Sequence, residues 1–254
     1  MEAGVIDTDV VSPAEQRQGF TLLCRAVPLS DLEITARPVA ALAGFPVRRL
    51  PARVAHLERL APNVMGLWLK LPGGDPFRFL AGQHVDILLR DGRRRSYSIA
   101  NAPHDSEFLE LHIRHVPGGA FSEHVFDGMK ERDLLRIEGP LGTFLLDEAS
   151  SRPAILLAAG TGFAPFKSMI ESALHAGVSR RLHLYRGART FADLYDHERV
   201  LGWLERYPAL RYTPVLSAPR PEDGWTGRVG HVQDAVLADH GRLDVTSVYA
   251  CGPP

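Results

Sequence analysis

Four short stretches carry residue types that could do chemistry. Arg95-Ser96-Tyr97-Ser98 joins a guanidinium, a flat aromatic face and hydroxyls. A guanidinium can grip a pyrophosphate at two points, and a serine can exchange a hydrogen bond with a ring nitrogen. Taken alone, these four residues read first as an ordinary strand with a polar outer face. Pro117-Gly118-Gly119-Ala120-Phe121-Ser122 frees backbone N–H groups to face an anion, with a helix starting at Ser122, although a plain hairpin turn is its first reading in isolation. Gly160-Thr161-Gly162-Phe163-Ala164-Pro165 lies between an apolar run and a helical stripe, the setting of a dinucleotide pyrophosphate cradle. Pro165 stands where a third glycine is usual, and proline suits the first turn of a helix. Tyr249-Ala250-Cys251-Gly252-Pro253 follows a strand. Ligands of open parallel sheets sit beyond such strand ends, so Cys251 could meet a substrate ring; a buried small residue is the equal alternative.

Other polar residues say less. His112 and His115 point to opposite faces of one strand and make no metal pair. Arg186 and Arg189 follow a strand and could meet a ribose or its 2′-phosphate, with solvated arginines the leading reading. No Ser–His–Asp order or zinc spacing is present.

The elements that must position these residues fall into two kinds. Over residues 51–147, apolar and polar residues alternate with period two, as at Leu109, Leu111 and Ile113 against Glu110, His112 and Arg114. Turn signals at Pro72-Gly73-Gly74, Asp91-Gly92 and Pro117-Gly118-Gly119 separate the strands, which predicts a closed or nearly closed antiparallel barrel with one short helix at 122–130. From residue 152 the pattern changes. Ile155 to Ala159 is a continuous apolar run, as in a strand buried on both faces. A helix is expected over Pro165 to Ala176, a strand at Leu182 to Tyr185, and a helix from Leu194 to Tyr207 capped by Asp193. Short strands at 215–217 and 248–250 complete a doubly wound α/β sheet with parallel strands. Residues 38–50, with Pro38, Gly44 and Pro46, read as a linker after residues 1–37.

Composition excludes several classes. The 254 residues carry 29 basic and 30 acidic side chains, so no charge excess points to nucleic acid or an anionic membrane. The longest apolar run is far too short for a bilayer, and no signal peptide pattern opens the chain. Two cysteines, Cys24 and Cys251, exclude a disulfide scaffold and fit a reducing compartment, which makes the cytoplasm the expected location.

In this order and spacing, the motifs over residues 51–254 resemble the ferredoxin–NAD(P)H reductase superfamily. The resemblance implies an FAD-binding β-barrel at 51–149 and an NAD(P)-binding α/β domain at 150–254. It implies that Arg95 holds the FAD pyrophosphate, Tyr97 stacks on the isoalloxazine and Ser98 sits near flavin N5. His112, Ile113 and Arg114, with Gly118, Gly119, Phe121 and Ser122, would contact the rest of FAD. Gly160, Thr161, Gly162 and Pro165, with Arg186, would line the nicotinamide nucleotide site, and Cys251, Gly252 and Pro253 would sit by the nicotinamide. Ser98 and Cys251 would tune hydride transfer, with NADH the expected donor and NADPH the alternative.

Residues 19–34 resemble the stretch around the last cluster ligand of a plant-type [2Fe–2S] ferredoxin domain. The arrangement is similar to reductase components of aromatic-ring oxygenases and phenol hydroxylases, and to the CDP-6-deoxy-3,4-glucoseen reductase type. The resemblance implies a redox partner, either an oxygenase or an iron–sulfur dehydratase component, with no membrane or nucleic acid involved. A plant-type cluster needs four cysteines, and only Cys24 is present. Cys24 therefore reads as a cluster ligand of a longer parent, and the chain as a fragment at both ends that carries no cluster itself. Two rival readings remain: a stand-alone flavin or ferric reductase, against which residues 19–34 speak, and a non-catalytic FAD-binding relay subunit, against which the Gly160–Pro165 loop speaks.

Overall fold

The computed structural model describes residues 2–3, 11–22, 26–27, 29–33, 39–74, 76–147 and 149–253. Cys24 lies outside the described residues. The chain divides into two compact units, Met1–Ala41 and Leu42–Pro254. The first holds strand β1 (Glu2–Ala3), helix α1 (Pro13–Arg17) and strand β2 (Ala26–Val27), with β1 antiparallel to β2. Ser12 and Glu15 start α1 with a reciprocal capping box, and Pro13 occupies the first turn, where a missing N–H does no harm.

The second unit begins with an antiparallel sheet. Its strands are β3 (Arg48–Ala61), β4 (Val64–Lys70), β5 (His84–Leu88), β6 (Arg94–Ser98), β7 (Leu109–Arg114) and, after helix α2 (Ala120–Asp127), β8 (Leu134–Leu141). They lie in the order β6-β5-β8-β3-β4-β7, and a bridge from Ile99 to Leu111 joins the two ends. The sheet is therefore a nearly closed barrel, as the period-two pattern predicts. Leu67, Leu69, Val85, Ile87, Leu111, Ile113 and Ile137 fill its interior. β3 starts at Arg48, inside the stretch read as linker, because Arg48–Arg53 pair with β8 and Arg49 bonds Glu138 across the ladder. α2 begins two residues earlier than expected, with Gly119 as its N-cap, and ends at Gly128.

Residues 154–251 form a five-stranded parallel sheet. β9 (Ala154–Ala159) leads into helix α3 (Phe163–His175), then β10 (Leu182–Ala188), helix α4 (His197–Arg206), β11 (Leu210–Leu216), β12 (Arg228–Val229), helix α5 (Val232–Asp239) and β13 (Ser247–Cys251). The order β12-β11-β10-β9-β13 places β9 in the interior, which is why its sequence is apolar throughout. α3 and α4 cover one face, against Leu156, Leu182 and Leu184. α5 covers the other, against Ile155, Tyr185 and Val215. α4 starts at His197 rather than Leu194. Asp193 closes a capping box with Thr190 over the single turn Phe191–Asp193, and Leu194 and Tyr195 turn into the core before Asp196, at φ 56°, begins the helix.

The barrel and the sheet share a core. Ala61 and Val64 from the barrel belong to the same apolar cluster as Phe163, Phe166, Met169 and Leu184. The Ser168 hydroxyl donates to the Asn101 carbonyl at 2.7 Å across the same contact. Among the described residues, no helix is long and apolar enough to cross a membrane. Because the core is shared, Phe166→Ala is expected to cost about 3–5 kcal/mol and to weaken both halves together. Urea unfolding followed by circular dichroism and tryptophan fluorescence checks this; two separate transitions would contradict a common core.

Candidate functional site

A cleft of about 700 Å³ opens at the carboxyl ends of β9, β10 and β11. This is where open parallel sheets hold ligands, and the volume is that of a cofactor site. One wall comes from the barrel, through Asn63, Val64 and Arg114; the other comes from the sheet, through Gly160, Arg189 and Thr190. Gly160 takes φ +53°, a conformation that disfavours a side chain, and the space beyond it is open. At Gly162 a Cβ would fall on the backbone of Cys251, so only glycine lets the end of β13 approach the start of α3. Gly162 is the N-cap of α3 and offers no side-chain cap. The Gly160–Thr161 turn that runs into this helix faces the cleft, the placement a dinucleotide pyrophosphate needs.

The structure spreads the residues expected here over two depths. Gly160 and Thr161 line the cleft, while Gly162 and Pro165 are buried beneath it. Gly252 packs against Ala159, and Pro253 is exposed. Cys251 is half-buried, and burial pushes its thiol up, keeping it protonated.

Arg186 does not reach the cleft. It is 1% exposed, and its guanidinium sits among the Tyr195 and Tyr212 side chains. Strand parity explains this placement: Arg186 shares the face of Leu182 and Leu184, under α3. Its guanidinium carbon lies 3.8 Å from the ring centre of Phe163 and 4.6 Å from that of Tyr195. These contacts, worth about 2 kcal/mol when desolvated, offset part of a burial that pushes its pKa down. The arginines on the cleft are Arg114 on the barrel wall and Arg189 and Arg220 on the sheet wall.

In the barrel, Tyr97 joins two of the sequence motifs. Its ring centre is 5.6 Å from that of Phe121 in the first turn of α2, and burial pushes its phenol up to about 12. Arg95 is partly exposed, with one nitrogen donating to the Arg94 carbonyl at 2.8 Å. Ser98 is partly buried and pairs with His84 on β5. α2 has no side-chain cap at Gly119. A partly exposed guanidinium, an aromatic face and an uncapped helix start suit a pyrophosphate joined to a flat ring, so this donor set fits FAD. The Ser122 hydroxyl is not free for it: it accepts from the Val116 N–H at 3.1 Å and donates within the turn. Gly118 gives its N–H to Glu123 at 2.7 Å.

The sequence reading missed a buried polar network. Glu110, His112 and Arg114 share one face of β7, and that face meets the sheet half rather than solvent: Glu110 is 7% and His112 3% exposed. Ile113 points into the barrel core, and only Arg114 of the three residues expected at FAD reaches the cleft. Tyr195 Oη lies 3.0 Å from His112 Nδ1, and Glu110 Oε1 lies 2.9 Å from His112 Nε2. Lys167 donates to Glu110 at 2.8 Å and to Glu171 at 3.2 Å. Arg199 closes the ring, 3.5 Å from Glu171 and 3.4 Å from Asp196, the neighbour of Tyr195. Burial alone would raise the Glu110 carboxyl, but the hydrogen bond to His112 and the charge and hydrogen bond of Lys167 hold it at about 2. At Glu171 burial wins over Lys167, and its pKa is raised. The sequence hint was Lys167, a charge inside the apolar stripe Phe166, Met169, Ile170.

Comparison with known proteins agrees with this geometry. The family described as "Oxidoreductase FAD-binding domain" matches residues 51–145, and "Oxidoreductase NAD-binding domain" matches 156–254. The chain is 38% identical over 235 residues to the CDP-6-deoxy-L-threo-D-glycero-4-hexulose-3-dehydrase reductase of Yersinia pestis, covering 92% of this chain and 70% of that protein. It is also 38% identical over 235 residues to terephthalate 1,2-dioxygenase reductase component 1 of Comamonas, covering 92% and 69%. The crystal structure of an Amycolatopsis cytochrome P450 reductase, GcoB, superposes with a TM-score of 0.80 at 36% identity, over 100% of this chain and 76% of that one.

The network has an acid signature. A carboxyl held at about 2 when folded and near 4.3 when unfolded contributes stability that is full above about pH 4.3 and is lost as pH falls through about 2. Glu110→Gln is expected to cost about 3 kcal/mol at pH 7, and the gap to the native protein should narrow toward pH 3. Urea titrations at the two pH values measure it; a gap independent of pH would count against the assignment.

Proposed function

The chain belongs to the FAD- and NAD-binding oxidoreductases of the ferredoxin-reductase type, and from that premise we propose that it draws electrons from NADH through FAD toward a [2Fe–2S] centre of a longer parent. From there they would pass to an oxygenase or dehydratase component. The observation that carries this reading is the cleft itself, whose one wall is the barrel and whose other is the Gly160–Thr161 turn with the loop after β10. The reductases of a sugar dehydrase and of a dioxygenase among the relatives support the choice of partner class. In this reading residues 1–37 are the remnant of a cluster domain, the linker expected at 38–50 ends before β3 begins at Arg48, and the flavin domain to 149 and the nucleotide domain at 150–254 follow. Two cysteines and balanced charge favour the cytoplasm as its location.

Bound FAD supplies the chemistry: it takes a hydride from reduced nicotinamide and releases electrons one at a time. The protein's part is to bind, orient and shield. Arg95 neutralises the FAD pyrophosphate. Tyr97, held on Phe121, gives the flavin ring a fixed face. Ser98 offers its hydroxyl beside the flavin. Cys251, kept neutral by burial, packs beside the nicotinamide without adding a charge that hydride transfer would feel. With Arg186 buried, Arg114, Arg189 and Arg220 are the arginines on the cleft left to meet a 2′-phosphate, and NADH is the proposed coenzyme.

The spectrum of the purified chain, before and after anaerobic NADH, is the direct test. Flavin bands that bleach with NADH are expected; a chain that folds but takes no flavin on reconstitution would overturn the reading. Arg95→Ala is expected to purify largely without FAD, read as the ratio of flavin to protein absorbance. Ser98→Ala is expected to keep its flavin and slow flavin reduction about tenfold or more, the loss typical of one positioned hydrogen bond at a reacting centre, read by stopped flow.

A further inference from the structure

We propose that Tyr195 and His112 are positioning residues that tie the coenzyme-binding loop to the flavin barrel and so set the width of the cleft. This rests on the function proposed above. The loop after β10 supplies Arg189, Thr190 and Asp193 to one wall of the cleft. Two residues beyond Asp193, Tyr195 is buried. The opposite wall includes Arg114, and two residues before it on the same face of β7 lies His112. The Tyr195 Oη to His112 Nδ1 contact at 3.0 Å therefore joins the walls just behind the cleft. The loop's other polar ties stay within the sheet half: Asp193 bonds Thr190, Phe191 N–H donates to Asp223, and the Arg189 carbonyl accepts from the Ala218 N–H.

The chemistry of the tie is directional. Glu110 is an acceptor, so His112 gives it the Nε2–H and keeps Nδ1 to accept from the Tyr195 hydroxyl. Lys167 holds Glu110 in place from α3. Burial pushes the Tyr195 phenol up, which keeps it a donor. The rings pack edge to face at 5.2 Å, so removing the hydroxyl alone leaves the packing intact. With water excluded, neither partner has a substitute, and the loop that walls the cleft loses its anchor to the barrel.

The test compares Tyr195→Phe, His112→Leu and His112→Gln in the full chain loaded with FAD. Gln keeps both a donor and an acceptor. Tyr195→Phe and His112→Leu are expected to weaken NAD⁺ binding, by calorimetry, about fivefold to tenfold, which is one net hydrogen bond. Flavin content should stay unchanged, and amide hydrogen exchange at residues 189–194 should speed up. His112→Gln should bind NAD⁺ within about threefold of the native protein, since both bonds can be remade. A purely structural role would lower thermal stability without moving NAD⁺ affinity, and that result overturns the proposal. Unchanged loop exchange in Tyr195→Phe overturns it too. If the native chain binds no NAD⁺, the functional reading fails, and the exchange measurement alone decides whether the tie exists.

Discussion

Both faces of one strand are buried, and much of the molecule follows from that. β7 turns Leu109, Leu111 and Ile113 into the barrel and Glu110 and His112 toward the sheet half. An alternating strand normally gives its polar side to water. Here that side meets protein, and each polar group must find a partner or be destabilising by several kcal/mol. The partners come from α3 and from the loop before α4, so their positions are constrained as tightly as the barrel itself. The salt-bridged ring from Asp196 to Tyr195 closes only because three elements converge on this face.

A second constraint acts at the sheet. β9 and β13 run side by side, and the end of β13 passes over Gly162 with no room for a side chain. The start of α3, the open space above Gly160 and the half-buried thiol of Cys251 are thereby brought together. The proposed nucleotide and hydride ends of the site are both held by backbone packing rather than by long side chains, and so need little ordering entropy when a ligand arrives.

Barrel, sheet and their order were legible because they rest on local pattern: period two over residues 51–147, and a continuous apolar strand followed by glycines and a helix after 152. Where local pattern met tertiary contact it fell short. Asp193 looked like the cap of a long helix, but its carboxylate is taken by Thr190 and the chain dips into the core before α4. Arg186 looked like a cleft residue because it follows a strand, yet strand parity sends it under α3. His112 was expected at FAD from the resemblance alone, and its side chain is taken up by Tyr195 and Glu110. None of these three outcomes is encoded within a few residues; each depends on what lies across the barrel–sheet contact.

That contact also bears on how such a protein can change over generations. Ala61 and Val64 of the barrel sit in the core of the sheet half, and Lys167 of the sheet half completes a charge buried on the barrel. A half exchanged for one without the partner of Lys167 or Glu110 would leave that lysine or carboxylate stranded at the seam. The smallest heritable unit is then the pair. New coenzyme preferences or new redox partners would arise by substitutions on the rim, at positions such as Arg189, Arg220 or Arg114, while the seam travels intact.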